Sequence, residues 1–285
     1  MLDLFVGLGT ESRPRRPSLR SGGRPVGLLK GRNQDVRALR SALADQGLTV
    51  KEIVTGETKR DDLDGILNAC AGVVLPGSDW NINPFLFGAA PDPSIAQKYD
   101  HSRDELSFPL ITKAIDEGIP LLAICRGFQE LQVERGGHLI QNIAAVVADG
   151  VDHAHGYRHL DYRAADVHEV EISPDGLLKK ILGNADPFRV NSIHQQGALL
   201  EELASGLKRE AWHGRVIEAA SVYGHPFALG IQFHPEFGRS KIQYRKIFAA
   251  YANAVRVYES NLELAPIERG PVYGTRVDRH LRPAA

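Results

Sequence analysis

Cysteine is nearly absent from this chain, and so is any excess of charge. Only Cys70 and Cys125 occur, too few for a disulfide framework and in keeping with a reducing, cytoplasmic setting. The formal net charge is -1, which gives no electrostatic pull toward nucleic acid. No apolar run approaches the length of a membrane span. Internal repeats, long low-complexity tracts and a phosphate-cradling glycine loop are all missing. The histidines lack the close, regular spacing with cysteine or carboxylate that marks a metal cluster, so neither metal nor cofactor is expected. His153, His155 and His159 are neighbours, but they fall in a stretch that reads as a solvated loop.

What remains is an ordinary folded composition, with 43% hydrophobic and 24% charged residues over 285 positions. That length can bury a large core. Strand-like and helix-like patterns alternate. Pro25 to Leu29 reads as a strand, followed by Val36, Leu39 and Leu43 at helical spacing, with Gly47 as the stop. Leu48 to Val54, Gly72 to Leu75 and Pro120 to Ile124 read as further strands. Tyr244, Ile247, Phe248, Tyr251 and Val255 trace one apolar face of a late helix. Such alternation predicts an α/β fold, a mostly parallel sheet flanked by helices on both faces, with its site at the strand C-terminal ends. A single domain over residues 25–260 is the simplest division.

The run from Ile119 to Glu130 is the most informative. A buried strand stops abruptly at Cys125, and Arg126-Gly127 opens a helix. A strand-to-helix elbow lifts one side chain out of the sheet top. It also aims the N–H groups of a helix start at whatever that side chain attacks, and those groups favour a thiolate. A cysteine nucleophile is one reading. A small buried side chain at the end of a core strand is the other.

Two distant stretches weigh toward the nucleophile. Phe227 to Phe233 is a second apolar run, ending in His234-Pro235-Glu236. Residues two apart in an extended segment project to the same side, so the imidazole and carboxylate can meet. Such a carboxylate sets the imidazole tautomer and stabilises the imidazolium. The third stretch, Gly72 to Ser78, runs from a strand into Pro76-Gly77. A glycine there lets backbone approach a ligand closely and, with the N–H of Arg126, would form an oxyanion hole.

Together, the elbow, the Leu-Pro-Gly strand end and the His-Pro-Glu tripeptide resemble the class I glutamine amidotransferase-like superfamily. Within it the chain is similar to the γ-glutamyl-γ-aminobutyrate hydrolase family. Asn81, Pro84, Gly88, Arg103-Asp104, the segment Val190 to Gly197 and the segment Val222 to Gly230 carry that narrower likeness. The resemblance implies a flavodoxin-like three-layer sandwich and a hydrolase that cleaves the γ-glutamyl amide of a small γ-glutamyl-amine conjugate through a thioester. It implies Cys125 as nucleophile, His234 as general base and then acid, Glu236 as its orienting group, and Gly77 and Arg126 as oxyanion donors. Substrate contacts are expected from Gln129, His194, Ser192 and Asn81, and the aromatics of the Asp79 to Ser102 segment would wall the amine side. The chain departs from the family at Ser107, where a glutamate is usual, and at Pro109, which breaks the helical pattern.

Two rival functions stay open at this point. One is a glutaminase subunit that supplies ammonia to a partner synthetase, and the other is a catalytically inactive binding protein on the same fold. A homodimer is left open. Residues 1–24, with Arg13, Arg15, Arg16, Arg20 and Arg24 among Pro, Ser and Gly, read as a disordered tail. An organelle transit peptide stays open there, although Asp3 and the prolines count against it. Leu2 to Gly9 is an alternative first strand. Residues 261–285 read as a C-terminal tail.

Overall fold

The computed structural model describes residues 23–154 and 163–264. Nine strands form one sheet: β1 (Val26–Lys30), β2 (Val50–Val54), β3 (Gly72–Leu75), β4 (Leu121–Ile124), β5 (His168–Ile172), β6 (Phe188–Val190), β7 (Leu207–His213), β8 (Val216–Val222) and β9 (Ala228–Ile231). The spatial order is β2-β1-β3-β4-β9-β8-β7-β5-β6. The run from β2 to β9 is parallel throughout. From β9 onward every pairing is antiparallel. The expected parallel core is therefore present, extended on one side by an antiparallel half. The strand expected at Pro25 to Leu29 is β1. The alternative at Leu2 to Gly9 and most of the arginine-rich start lie outside the described residues, although Arg24 is described and its N–H donates to Glu259 at 2.6 Å. The expected C-terminal tail begins later than residue 261, because the last helix runs on to Leu264, and the remainder lies outside the described residues.

Alternation along the short core strands explains the two helical layers. In β4, Leu122 and Ile124 face one side while Leu121 and Ala123 face the other. The first side packs against α1 (Arg37–Ala44), α6 (Leu177–Leu182) and α7 (Ile242–Leu264) through Leu39, Leu43, Leu178, Tyr244 and Tyr251. The second packs against α2 (Leu63–Asn68), α3 (His101–Asp116) and α4 (Arg126–Glu134) through Leu67, Leu110, Phe128 and Leu131. A short helix, α5 (Ile143–Val146), covers a smaller apolar cluster with Leu199 and Val216. Both faces of β4 are thus dry, which is why it reads as an unbroken apolar run rather than an alternating one.

Pro109 does not end its helix. α3 runs through it to Asp116, because Leu106, Leu110, Ile111 and Ala114 are all buried and their packing outweighs the one lost backbone bond. Its start is set by Asp100, whose carboxylate accepts from the Arg103 N–H at 3.0 Å.

Between α3 and α4 lies a dry cluster of four charges. Arg103 donates to both carboxylate oxygens of Glu130, at 2.7 and 3.0 Å. Arg126 donates to Asp104 at 2.7 Å and also to Glu130. All four side chains are at most 4% exposed. The charges balance, and the planar guanidinium forks supply the fixed geometry that a desolvated pair requires. Removing one partner should be far costlier than removing a surface pair. Glu130→Ala, which leaves the buried Arg103 without a carboxylate and Arg126 with Asp104 alone, is expected to lose roughly 3–5 kcal/mol in urea unfolding. The exposed Lys113–Asp64 pair should contribute no more than about 1 kcal/mol in the same assay.

Candidate active site

Cys125 follows directly on β4 and precedes the first residue of α4. It is the only non-glycine residue with positive φ among the described residues, at φ 51° and ψ -106°. A β-carbon in this region is strained, so the surrounding packing must enforce it. Part of that enforcement is Gly127, where a β-carbon would collide with the Leu75 carbonyl oxygen. The absence of a side chain lets α4 begin hard against β3, and the chain can then turn only through the strained elbow.

β9 is the neighbour of β4, with Ile124 opposite Ile231, and it delivers the second component. His234 Nδ1 lies 2.8 Å from Glu236 Oε1. Asn191 clamps the turn from both sides: its side-chain oxygen accepts from the His234 N–H and its amide donates to the His234 carbonyl, each at 2.8 Å. His234 Nε2 bonds to no nitrogen or oxygen and faces the Cys125 thiol. Burial alone would push the imidazole pKa down. The charges of Glu236 and of a Cys125 thiolate, with their hydrogen bonds, outweigh it and raise the value to about 10. This environment suits an imidazolium held between a carboxylate and a sulfur.

Gly77 closes the third side. A β-carbon at this position would meet His234 Cε1 at 2.5 Å and Cys125 Cβ at 3.2 Å, so only glycine brings the backbone this close. Both peptides flanking it are held. Arg103 Nη2 donates to the Pro76 carbonyl at 2.5 Å, and the Gln34 amide donates to the Gly77 carbonyl. In a trans peptide C=O and N–H point in opposite directions. Pinning the Pro76 carbonyl into the charge cluster therefore turns the Gly77 N–H outward. The Arg126 N–H, in the first turn of α4, has no intrahelical acceptor. The Arg126 side chain goes the other way, donating to the Trp80 carbonyl at 2.7 Å and the Asn81 carbonyl at 3.3 Å.

A cavity of about 700 Å³ opens beside these groups, lined among others by Gly77, Trp80, Arg163, Ile193, His234 and Glu236, while Cys125 is 2% exposed and not part of the lining. Arg163 gives no signal in the sequence, where it follows a stretch with no recognisable pattern. Its guanidinium stands 5.4 Å from the centre of the Phe237 ring, and its Nε is buried with no partner. The Asp79 to Ser102 segment reaches the cavity through Asp79, Trp80, Asp100 and Ser102. Its other aromatics do not: Phe85 is exposed, and Phe87 is buried against His138.

The four substrate contacts expected from the sequence stand off the cavity. Gln129 is buried and donates to the Gln196 carbonyl at 2.8 Å and to Gln232 at 3.2 Å. Asn81 donates to the Ala96 carbonyl. Ser192 donates to the His153 carbonyl at 2.9 Å. His194 is buried with Nδ1 3.0 Å from the Gln196 carbonyl. Their polar groups brace the loops around the pocket, while Ile193 between two of them places its carbonyl 3.8 Å from the Cys125 sulfur. His153 also corrects the sequence reading, being 2% exposed rather than solvated. Burial and then the neighbouring His194 hold its pKa down to about 4. His155 and His159 lie outside the described residues.

A family model described as peptidase C26 matches residues 34–236. The chain belongs to the peptidase C26 family. A γ-glutamyl-γ-aminobutyrate hydrolase from Escherichia coli O157:H7 is 37% identical over 186 residues, covering 65% of this chain and 71% of that one. A putative glutamine amidotransferase of Schizosaccharomyces pombe is 33% identical over 165 residues, 58% of this chain and 61% of that one. Among solved structures, a putative GMP synthase protein from Thermoplasma acidophilum aligns with TM-score 0.58 at 16% identity, over 86% of this chain and 100% of that chain. A glutamine amidotransferase from Thermotoga maritima aligns with TM-score 0.51 at 17% identity, over 85% and 95%. This C26 chain therefore has the class I glutamine amidotransferase-like fold. Among the described residues no helix is long and apolar enough to cross a membrane.

The raised pKa of His234 makes a testable statement with a definite sign. The ordinary value is about 6.5, so the stability supplied by the charged imidazole is fully present below that pH. It is lost as pH rises through about 10. Glu236→Gln removes the larger of the two raising charges, and should lower the His234 pKa by more than about one unit. Imidazole NMR titration of the two proteins measures the difference directly.

Proposed function

We propose that this C26 protein hydrolyses the γ-glutamyl amide bond of a γ-glutamyl-amine conjugate, releasing glutamate and free amine. The observation that carries the reading is the strained Cys125 elbow set against the His234–Glu236 pair at the floor of the cavity. The names of the C26 relatives support the choice of a γ-glutamyl substrate. Nucleophilic catalysis by cysteine requires a thiolate, an acid for the leaving amine and donors for the oxyanion. Each has a candidate group here.

Cys125 thiolate attacks the side-chain carbonyl carbon, and the new oxyanion is received by the N–H groups of Gly77 and Arg126. The His234 imidazolium gives its proton to the amine nitrogen as the C–N bond breaks, leaving a γ-glutamyl thioester on Cys125. His234, now neutral, takes a proton from water as that water attacks the thioester. The C–S bond breaks, glutamate leaves, and the thiolate–imidazolium pair is restored. Glu236 holds the ring in the tautomer that presents Nε2 to the sulfur. Arg163, with its partnerless Nε at the cavity wall, is the cation available to the substrate's α-carboxylate.

Glutamate release by the isolated chain from a panel of γ-glutamyl amines, with glutamine included, tests this reading. Release from an amine conjugate is expected, and Cys125→Ala should abolish it. Turnover retained in that variant would exclude the mechanism. Release from glutamine alone, and only with a partner present, would instead identify an ammonia-supplying subunit. An unreactive Cys125 would leave a binding protein.

Arg103→Lys offers a sharper test of the oxyanion geometry, because it keeps the charge but loses the fork that pins Pro76. A donor turned away from the oxyanion typically costs about 10²–10³ in kcat. The expected result is a fall in kcat approaching that size, with KM changed much less.

A further inference from the structure

Behind the active-site wall, three imidazoles stand around one buried carboxylate. Glu218, on β8, is 0% exposed, and His153, His168 and His194 are each at most 2% exposed. His168 Nε2 lies 3.0 Å from Glu218 Oε1, and His194 Nε2 lies 3.7 Å from the same oxygen. The His153 ring is 5.0 Å from that of His194 and 5.1 Å from that of His168. His213 lies next to this group, its ring 4.7 Å from that of His168. One ligand atom each from His153, His194 and Glu218 lie within 4.8 Å of one another.

We propose that His153, His194 and Glu218 bind a divalent transition-metal ion of the zinc type, a structural cation that holds the wall of the active site. Two imidazoles and a carboxylate are a donor set suited to zinc. The remaining ring nitrogens are occupied as a metal site requires. His194 Nδ1 is 3.0 Å from the Gln196 carbonyl, which fixes the proton there and leaves the Nε2 lone pair free. His153 Nε2 is 3.0 Å from Asp149, which leaves Nδ1 as the ligand atom. The Ser192 hydroxyl gives its proton to the His153 carbonyl and so does not consume that lone pair.

The unpaired atoms point the same way. His194 Nε2, His168 Nδ1 and Glu218 Oε2 are all buried without a hydrogen-bond partner. Such atoms are costly in a dry interior, and a cation would satisfy the two that belong to the proposed ligands, His194 Nε2 and Glu218 Oε2. Tetrahedral bonds of about 2.0–2.1 Å bring ligand atoms to roughly 3.4 Å apart, so the three would close in on the ion. His168, whose Nε2 is bonded to Glu218 Oε1, orients that carboxylate.

The ligands come from three separate segments: the loop before the undescribed residues, the turn at Asn191 to Gly197, and β8. An ion would tie the turn to the sheet one residue from Ile193, whose carbonyl faces the Cys125 sulfur. This role does not depend on which amide the enzyme cleaves.

The test uses tag-free, full-length protein, incubated with equimolar zinc, desalted, and analysed for metal by mass spectrometry. About one zinc per chain is expected. Loss of that zinc is expected in His153→Ala and Glu218→Gln, and its retention in His101→Ala, which changes an exposed histidine. In wild-type protein, dipicolinate should lower Tm and added zinc should restore it, because an ion bound to the native state alone stabilises that state. Cobalt in place of zinc should give the strong visible absorption of a four-coordinate site. The last two readings need no variant to fold. Zinc below about one-tenth per chain with an unmoved Tm, or zinc kept by both variants, would overturn the proposal.

Discussion

Arg103, Arg126, Asp104 and Glu130 form the constraint on which the remainder of the site depends. Two guanidinium groups and two carboxylates buried together need partners for most of their polar atoms, and of the guanidinium nitrogens only Arg103 Nη1 is buried without one. Their spare N–H groups therefore reach out to backbone carbonyls, those of Pro76, Trp80 and Asn81. Each of these carbonyls belongs to the loop after β3. In this way the cluster converts a stability requirement of the α3–α4 contact into an orientation for the loop that carries Gly77. The elbow at Cys125 is held by the same contact, because Arg126 is both the first residue of α4 and a member of the cluster.

The parallel core, and the segments that the fold brings together at Cys125, His234 and Glu236, were legible in the sequence because each is written in a short, contiguous stretch. Leu121 to Ile124 carries an uninterrupted apolar run, Cys125 interrupts it, and His234-Pro235-Glu236 spans three positions. Arg103-Asp104 was legible as a signature but not as a brace, since its partners Arg126 and Glu130 lie a strand away.

What was not legible depends on tertiary placement. Gln129, Ser192, Asn81 and His194 were expected to touch substrate, and each instead has a side-chain polar atom bonded to neighbouring backbone, His194 keeping only its Nε2 unbonded. Proximity to the site in sequence does not say which way a side chain turns. The imidazole cluster was hidden for a related reason: His153, His194 and Glu218 sit far apart in sequence, two of them in loops and one on β8, and only the tertiary fold brings them together. Spacing rules find metal ligands on one loop or helix, not on three. Pro109 misled in the other direction, because buried neighbours on α3 outweigh a local helix breaker.

The position of β9 also governs when the site can exist. It is inserted between β4 and β8, although Leu122 pairs with Leu229 across a very long stretch of chain. A newly made polypeptide that has reached only β4 carries the cysteine but neither the imidazole nor the strand that flanks it. Closing that long loop is slow and entropically costly. Cys125 and His234 therefore meet only once β9 has docked against β4, and a chain that has formed no more than β4 carries the thiol without the imidazole beside it.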